Sequence, residues 1–330
     1  MIELIRKLVE TYGPSGYEEQ IRAVILAEID GRADDIRVDA MGNIIAWKRS
    51  GKENAPRVMF AAHMDEIGLM VSHVDEKGFL RVTNIGGVFV NTLHGHRVRF
   101  ADGTIGAIGV DSEVEMTTAP SLAQVFVDVS NGSGKHPIKV GDAAGFDRTM
   151  AVNGDRIIAK SLDDRIGCAI LIEVLRQLKS SPNDIAFVFS VQEEVGVRGA
   201  TTAAYAVDPD VGIALDVTRT GDTPKGLKMA VELGKGPAIK VKDTGALSSP
   251  EVIALMEKAA QKAKVPYQLE VLERGGTDAR AIQLTRAGVR AGCLSIPCRH
   301  IHTPSEVVDL KDVQNGVRLL LALLEEAATF

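Results

Sequence analysis

The sequence predicts an α/β protein: a mostly parallel mixed sheet flanked by helices and interrupted by an inserted small β-barrel-like domain. Three observations lead there. Apolar residues at helical spacing open and close the chain. Between Gly68 and about Arg156 that periodicity disappears, and β-branched residues alternate among frequent glycines. Beyond Asp155, apolar runs of strand length again take turns with helix-length amphipathic segments, and such alternation implies a mostly parallel sheet covered by helices.

Taken in order, Leu4, Ile5, Leu8 and Val9 recur at helical spacing, and Gly13-Pro14-Ser15-Gly16 stops that helix. Ser15 and Glu18 are spaced as a capping box ahead of a second helix carrying Ile21, Val24, Ile25 and Ile29. Ile36 to Trp47, broken at Met41-Gly42-Asn43, reads as two strands, and Arg57 to Ala62 is a short apolar strand running into His63-Met64-Asp65-Glu66. Within the β module, strands are expected in Val71 to Phe79, Arg97 to Val110 and Gln124 to Val129. A helix follows at Ile166 to Leu178, then strands at Ile185 to Val191 and Val211 to Val217. The chain closes with a helix at Pro250 to Lys264, a strand near Gly292 to Ile296 and a last helix from Leu310 to Ala327. The domain map is therefore a discontinuous α/β domain, residues 1–66 and 157–330, with residues 67–156 inserted as a lid or an oligomer contact.

Composition narrows the function. Among 330 residues, 38 Lys and Arg face 44 Asp and Glu, for a formal net charge of −6, mixed along the chain. A sequence-independent grip on nucleic acid needs a clustered basic surface, so none is expected. No apolar run reaches the roughly 18 to 20 residues that span a bilayer, and residues 1–10 lack a signal-peptide core, so no membrane partner and a cytoplasmic location are expected. Cys168, Cys293 and Cys298 are odd in number and widely spaced, which is not a disulfide framework. Cys168 and Cys293 read as small buried hydrophobes. Aromatic residues make up only 4%, which leaves few platforms for stacking sugars.

In open α/β sheets, functional groups collect beyond the carboxyl ends of the strands. Each apolar strand here delivers such groups: His63 and Asp65 after Arg57 to Ala62, Glu193 and Glu194 after Ile185 to Val191, Asp216 after Gly212 to Leu215, and His300 and His302 after Cys293 to Pro297. Asp163 and Asp164 stand just before an apolar helix. A lone His-x-Asp is usually a surface ion pair, and paired acids usually decorate a helix start. Solvated acids, however, have no reason to recur directly after buried strands, and the chain has only seven histidines to place. Imidazole with carboxylate is the ligand set of divalent metals. One His and one carboxylate per metal plus a shared carboxylate gives a two-metal site from His63, Asp163, Glu194, Asp216 and His302.

The segments Ala62-His63-Met64-Asp65-Glu66-Ile67-Gly68, Ser161-Leu162-Asp163-Asp164-Arg165-Ile166-Gly167, Gln192-Glu193-Glu194-Val195-Gly196-Val197-Arg198-Gly199, Ala214-Leu215-Asp216-Val217-Thr218, Gly276-Thr277-Asp278-Ala279 and His302-Thr303-Pro304-Ser305-Glu306 occur in this order over nearly the whole chain. They resemble the dinuclear-metal glutamyl and deblocking aminopeptidases, which form tetrahedral assemblies and are sometimes labelled endoglucanases or cellulases. The resemblance implies a zinc-peptidase-like fold. It implies an inserted β domain that mediates dimerisation, and a homododecamer of twelve chains around a hollow centre. It also implies two divalent ions, zinc or cobalt, with His63, Asp163 and Asp216 on one and Asp163, Glu194 and His302 on the other. Glu193 becomes the general base, and Asp65 accepts the second ring N–H of His63. The expected activity is removal of the N-terminal residue from short peptides by a water activated between the metals.

One departure is visible, in that His300 stands where relatives commonly carry an aromatic residue two positions before the last His ligand. Gly276, Thr277 and Asp278, after Gly275, offer backbone N–H groups and a hydroxyl and are candidates to line the substrate pocket. Cys298, His300 and His302 could alternatively form a separate thiolate zinc site. His94 and His96 fall in the insertion and suit a surface or interface. The competing functions are a glycoside hydrolase using Glu193 and a second carboxylate as acid and base, and a non-catalytic assembly subunit.

Overall fold

The computed structural model describes residues 1–115, 118–132 and 136–329. The remaining residues of the expected insertion and Phe330 lie outside that description. The chain opens with α1 (Ile2–Glu10), which buries Leu4, Ile5, Leu8 and Val9, and α2 (Glu19–Ile29), which buries Ile21, Ile25 and Ile29. An antiparallel hairpin of β1 (Asp35–Val38) and β2 (Ile44–Lys48) follows, then β3 (Arg57–His63), whose side chains are buried from Val58 onward. A strand hidden on both faces must be apolar throughout, and this is why Val58-Met59-Phe60-Ala61-Ala62 was legible as one.

The next six strands close into a barrel in the order β4-β5-β8-β7-β6-β9. They are β4 (Gly68–Val74), β5 (Leu80–Ile85), β6 (Arg97–Phe100), β7 (Ile105–Val110), β8 (Val125–Asp128) and β9 (Ala143–Phe146). The barrel has its own core, with Leu69, Val71, Leu80, Val98, Phe100 and Val127 pointing inward. Two of the expected strands divide differently. The run Val71 to Phe79 ends its ladder at Val74, because Asp75 Oδ1 accepts from the N–H groups of Lys77 (2.8 Å) and Phe79 (2.9 Å) and turns the chain. Arg97 to Val110 is a hairpin, turned where Gly103 takes φ +89° and Asp102 Oδ1 accepts from Thr104 N (2.9 Å).

After the barrel come β10 (Ala151–Asn153), β11 (Arg156–Ala159), α3 (Leu162–Gln177), β12 (Asp184–Ser190), α4 (Arg198–Val207), β13 (Val211–Thr218) and β14 (Ala238–Lys242). The chain ends with α5 (Pro250–Ala263), β15 (Gln268–Val271), α6 (Ala279–Gln283), β16 (Arg290–Arg299), β17 (Glu306–Asp309) and α7 (Leu310–Leu323). The main sheet runs β1-β2-β12-β3-β13-β16-β17-β11-β10, with β14 and β15 branching from β16. Its centre, β12-β3-β13-β16, is parallel, and antiparallel strands finish both sides. The fold is thus mixed α/β with a large helix-flanked sheet and a closed six-stranded barrel. β10, at residues read from the sequence as insertion, pairs instead with β11 at the edge of the main sheet. α3 is buried on nearly every side from Leu162 to Ile172, as a helix in the middle of a large core must be.

The capping box expected from Ser15 and Glu18 does not form. α2 starts after Glu18 without a side-chain cap; Ser15 Oγ donates to Asp65 (2.6 Å), and Glu18 accepts from Gly16 N (2.7 Å) and Gln192 N (3.2 Å). Burial pushes the Glu18 carboxyl up to about 7 from an ordinary 4.5, against those N–H donors. The folded state therefore holds the proton more tightly than the unfolded chain. Stability from this group is complete below about pH 4.5 and is lost as pH rises through about 7. Glu18→Gln should remove the loss, gaining up to about 3 kcal/mol relative to the parent between pH 4 and pH 8 in denaturant melts; superimposable pH profiles of the two proteins would contradict this.

Candidate active site

The parallel register brings the strand ends together. His63, the last residue of β3, lies opposite Ser190, the last of β12, so Glu193 and Glu194 begin their loop beside it. On the other side β13 carries Asp216, paired with Ser295 of β16, and the end of β16 leads directly to His302. Asp163 enters from a separate direction, at the start of α3, where Asp163 and Asp164 keep non-helical backbone angles ahead of the regular turns.

The five side chains named from the sequence meet. His63 Nε2 is 3.1 Å from Asp163 Oδ1, while His302 Nε2 is 3.3 Å from Asp163 Oδ2 and 3.2 Å from Glu194 Oε2. They form two donor sets, His63 with Asp163 and Asp216, and Asp163 with Glu194 and His302, each with its ligand atoms within 4.8 Å of one another. Asp163 belongs to both and turns one oxygen to each histidine.

Crowding displaces the proton affinities of these groups from their usual ranges. Burial pushes Asp216 and Glu193 well above the usual carboxylate range, and neighbouring acids, Asp163 for the first and Asp216 and Asp278 for the second, add to it. Glu194 is raised by burial as well. Burial would lower the imidazoles, but Asp163 and Asp65 carry His63 well above its usual range, and Asp163 and Glu194 carry His302 up to about 12. Only Asp163 is held low, because both histidines outweigh the effect of its burial. Burial and the mutual repulsion of crowded carboxylates raise the acids, and Asp163, between two imidazoles, goes the other way. Glu194 Oε1 is buried without a hydrogen-bond partner. The donor types, their spacing and the unanswered oxygen fit divalent cations.

Neighbouring groups fix the backbone of these residues. Asp65 Oδ1 accepts from Glu193 N (3.0 Å) and its Oδ2 from Glu194 N (3.2 Å). Its Oδ1 stands 3.5 Å from His63 Nδ1, longer than a good hydrogen bond, so Asp65 holds the Glu193-Glu194 loop more closely than it holds the imidazole. Glu306 accepts from Asp163 N (3.0 Å) and His302 N (2.8 Å). Ser15, spaced for a helix cap, serves Asp65 instead, and the role of Glu306 leaves no sign in the sequence beyond its place in the last motif.

A cleft of about 390 Å³ opens over Asp163, Glu193, Glu194, Asp216 and His302, walled by Gly87, Thr218, Arg219, Leu272, Arg274 and Gly276. Of the expected pocket residues, Gly276 lines it. Thr277 and Asp278 do not: both are buried, Thr277 Oγ1 accepts from Ala279 N (3.3 Å), and Asp278 accepts from the Ser190 hydroxyl. Burial pushes Asp278 up to about 6. His300 is exposed and outside both donor sets. Cys298 is buried with its thiol pushed well up by burial, and among the described residues it joins no cluster of metal-binding atoms, so the thiolate alternative is not formed.

Proteins of similar sequence and structure are mostly named aminopeptidases, and one structure from Thermotoga maritima, with a TM-score of 0.82 at 30% identity over 97% of this chain and 96% of that one, bears the name endoglucanase. The model of the M42 glutamyl aminopeptidase family matches residues 42–319. A lysyl aminopeptidase from Pyrococcus furiosus is 39% identical over 340 residues, 98% of this chain and 96% of its own. An aminopeptidase structure from the archaeon Desulfurococcus kamchatkensis superposes with a TM-score of 0.93 at 42% identity, covering 99% of this chain and 94% of that one. The TET1 peptidase of Pyrococcus horikoshii, described as able to assemble into a tetrahedron or a large octahedral shell, gives a TM-score of 0.88 at 33% identity over 98% of this chain and 99% of that one.

The two donor sets make a direct prediction. Calorimetric titration of the metal-free protein with zinc or cobalt should saturate at two ions per chain, and His302→Ala should retain one. Unchanged stoichiometry in the variant would remove His302 from the ligands.

Proposed function

This chain belongs to the M42 glutamyl aminopeptidase family, and from that premise we propose that it removes the N-terminal residue of short peptides with two divalent ions, zinc or cobalt, held by His63, Asp163, Glu194, Asp216 and His302. That it is a peptide hydrolase follows from the family and from the aminopeptidases it resembles throughout its length, which sets aside the glycoside hydrolase and the non-catalytic subunit. The observation that carries the two-metal reading is Asp163, whose two oxygens face two separate donor sets.

Bound there, the ions would supply a water that ionises near neutral pH and positive charge for the developing oxyanion. The chain's own groups do the rest. Glu193 lines the cleft beside both donor sets, and its position is fixed through its N–H by Asp65. It takes the proton from the attacking water as the C–O bond forms. It then delivers that proton to the departing amine as the C–N bond breaks, which leaves the carboxylate as it began. The free α-amine of a substrate would coordinate an ion or pair with a single cleft carboxylate, and only a chain end presents one. Exopeptidase selectivity is the consequence.

Self-association belongs to the same proposal. We infer a tetrahedral homododecamer with residues 67–156, which include the closed barrel, as the contact domain. Light scattering should then give about twelve times the 35.3 kDa chain; a monomer at working concentration would refute it.

Activity on aminoacyl-anilides with none on cellulose oligomers, abolished by a chelator and restored by zinc or cobalt, tests the proposed reaction. Glu193→Gln should keep both ions and lose about 10²- to 10⁴-fold in turnover. Ordinary activity in that variant would remove Glu193 as the base.

A further inference from the structure

We propose that Glu306 is a positioning residue that sets the second metal site by clamping the backbones of two of its ligands at once. The inference rests on the two-metal reading above. Asp163 and His302 are 139 positions apart in the chain, and neither is placed by regular secondary structure. Asp163 has φ −78° and ψ +106°, ahead of the helical turns of α3, and His302 sits in a turn at φ +65°. That is a left-handed backbone which a residue with a Cβ adopts only when its surroundings impose it.

What imposes it is one carboxylate. Glu306 opens β17, is 2% exposed, and directs Oε2 to Asp163 N at 3.0 Å and Oε1 to His302 N at 2.8 Å. Its own backbone is fixed by the sheet, where it lies opposite Ala159 of β11. The clamp therefore transfers the rigidity of the β11-β17 ladder to both ligand-bearing turns. Each oxygen of Glu306 takes one N–H, and a fork with two acceptors fixes the separation of its donors as well as their direction. Asp65 acts in the same way on Glu193 N and Glu194 N. The second donor set, Asp163 with Glu194 and His302, is thus held at every backbone N–H by one of two buried acids. Of the first set, only the shared Asp163 depends on Glu306, since His63 and Asp216 are carried on β3 and β13.

A glutamine has the same length but one acceptor oxygen, so it can satisfy one of the two N–H groups and presents an amide to the other. Glu306→Gln should weaken the second cobalt ion by about 10- to 100-fold in calorimetric titration, the usual consequence of losing a group that orients a ligand, while the first ion, which shares only Asp163 with it, is weakened clearly less. The visible d–d absorption of the second cobalt should shift as well. Wild-type protein that binds fewer than two ions would sink the two-metal reading itself. Two ions bound with unchanged affinities and spectrum in Glu306→Gln would sink the clamp alone. Equal weakening of both ions, accompanied by a lower melting temperature of the metal-free protein, would make Glu306 a general structural residue and also overturn the proposal. If Glu306→Gln does not fold, Glu306→Asp, too short to reach both N–H groups, is read by the same criteria; failure of both to fold counts as the structural outcome.

Discussion

The constraint that organises this molecule is the crowding of acids at one point. Asp163, Glu193, Glu194 and Asp216 converge where the parallel strands end, with His63 and His302 in contact with them and Arg219 and Arg274 farther out at the cleft wall. Like charges at such separations repel by several kcal/mol at the effective dielectric of a protein interior, so the arrangement persists only where the surrounding structure compels it. The parallel core compels it. β12 stays paired with β3 as far as His63, and β13, which leaves β3 after Ala61-Ala214, stays paired with β16 through Thr218, so sheet pairing fixes the strand end at His63 and the Asp216 position. The raised proton affinities of acids and imidazoles alike record that compulsion, and divalent cations would relieve it.

A second layer of buried charge holds the first in place by gripping backbone. Beside the Asp65 and Glu306 clamps lies Glu66, which pairs with Lys160 (2.5 Å) and Arg165 (3.6 Å), accepts from Gly13 N (3.0 Å) and bonds the Ser161 hydroxyl. Arg165, fully buried, donates to the carbonyls of Met64 (2.6 Å), Leu8 (2.6 Å) and Thr11 (2.8 Å). One network thereby ties the end of α1, the end of β3 and the start of α3 together. Apolar residues of equal volume could replace such a network without loss of stability, whereas removing one partner leaves a stranded charge at a cost of about 3 to 5 kcal/mol. Its contribution is to conformation: it specifies one relative placement of the segments that bear His63 and Asp163.

What the sequence could and could not disclose follows the same division. Strands with two buried faces are unbroken apolar runs, so β3, β12 and β13 were legible, and rare histidines and acids directly after them pointed to the site. α4 was not legible, because its buried face is Gly199, Ala200, Ala203, Ala204 and Val207, small residues that give little apolar periodicity. β9, β10, β11 and β17 are short and read AAGF, AVN, RIIA and EVVD, in which apolar and polar residues do not alternate. Ser15 and Glu18 carried a sound local signal that a tertiary demand overrode: the Asp65 carboxylate and the Gln192 N–H needed partners more than the helix end did. Of the loop Gly276, Thr277 and Asp278, Gly276 lines the cleft and the other two are buried behind it, because spacing alone says nothing about which residues of a loop face inward. The clamps were invisible for a deeper reason, since half of each is a backbone N–H, a group every residue possesses.

The barrel is part of this geometry as well. Gly87, just beyond β5, forms a wall of the cleft and lies so close to the His302 ring that a Cβ at position 87 would stand 2.7 Å from Nδ1. Gly86, beside it, would place a Cβ 3.1 Å from Glu194 Oε2. Both contacts fall on the second donor set, the one whose residues lie beyond the ends of the strands. Of the two sets, the first is carried mainly by the sheet, through His63 and Asp216. The second is assembled from turns, held at its backbone N–H groups by Asp65 and Glu306 and approached at its side chains by Gly86 and Gly87, where only glycine leaves room for the His302 ring and Glu194.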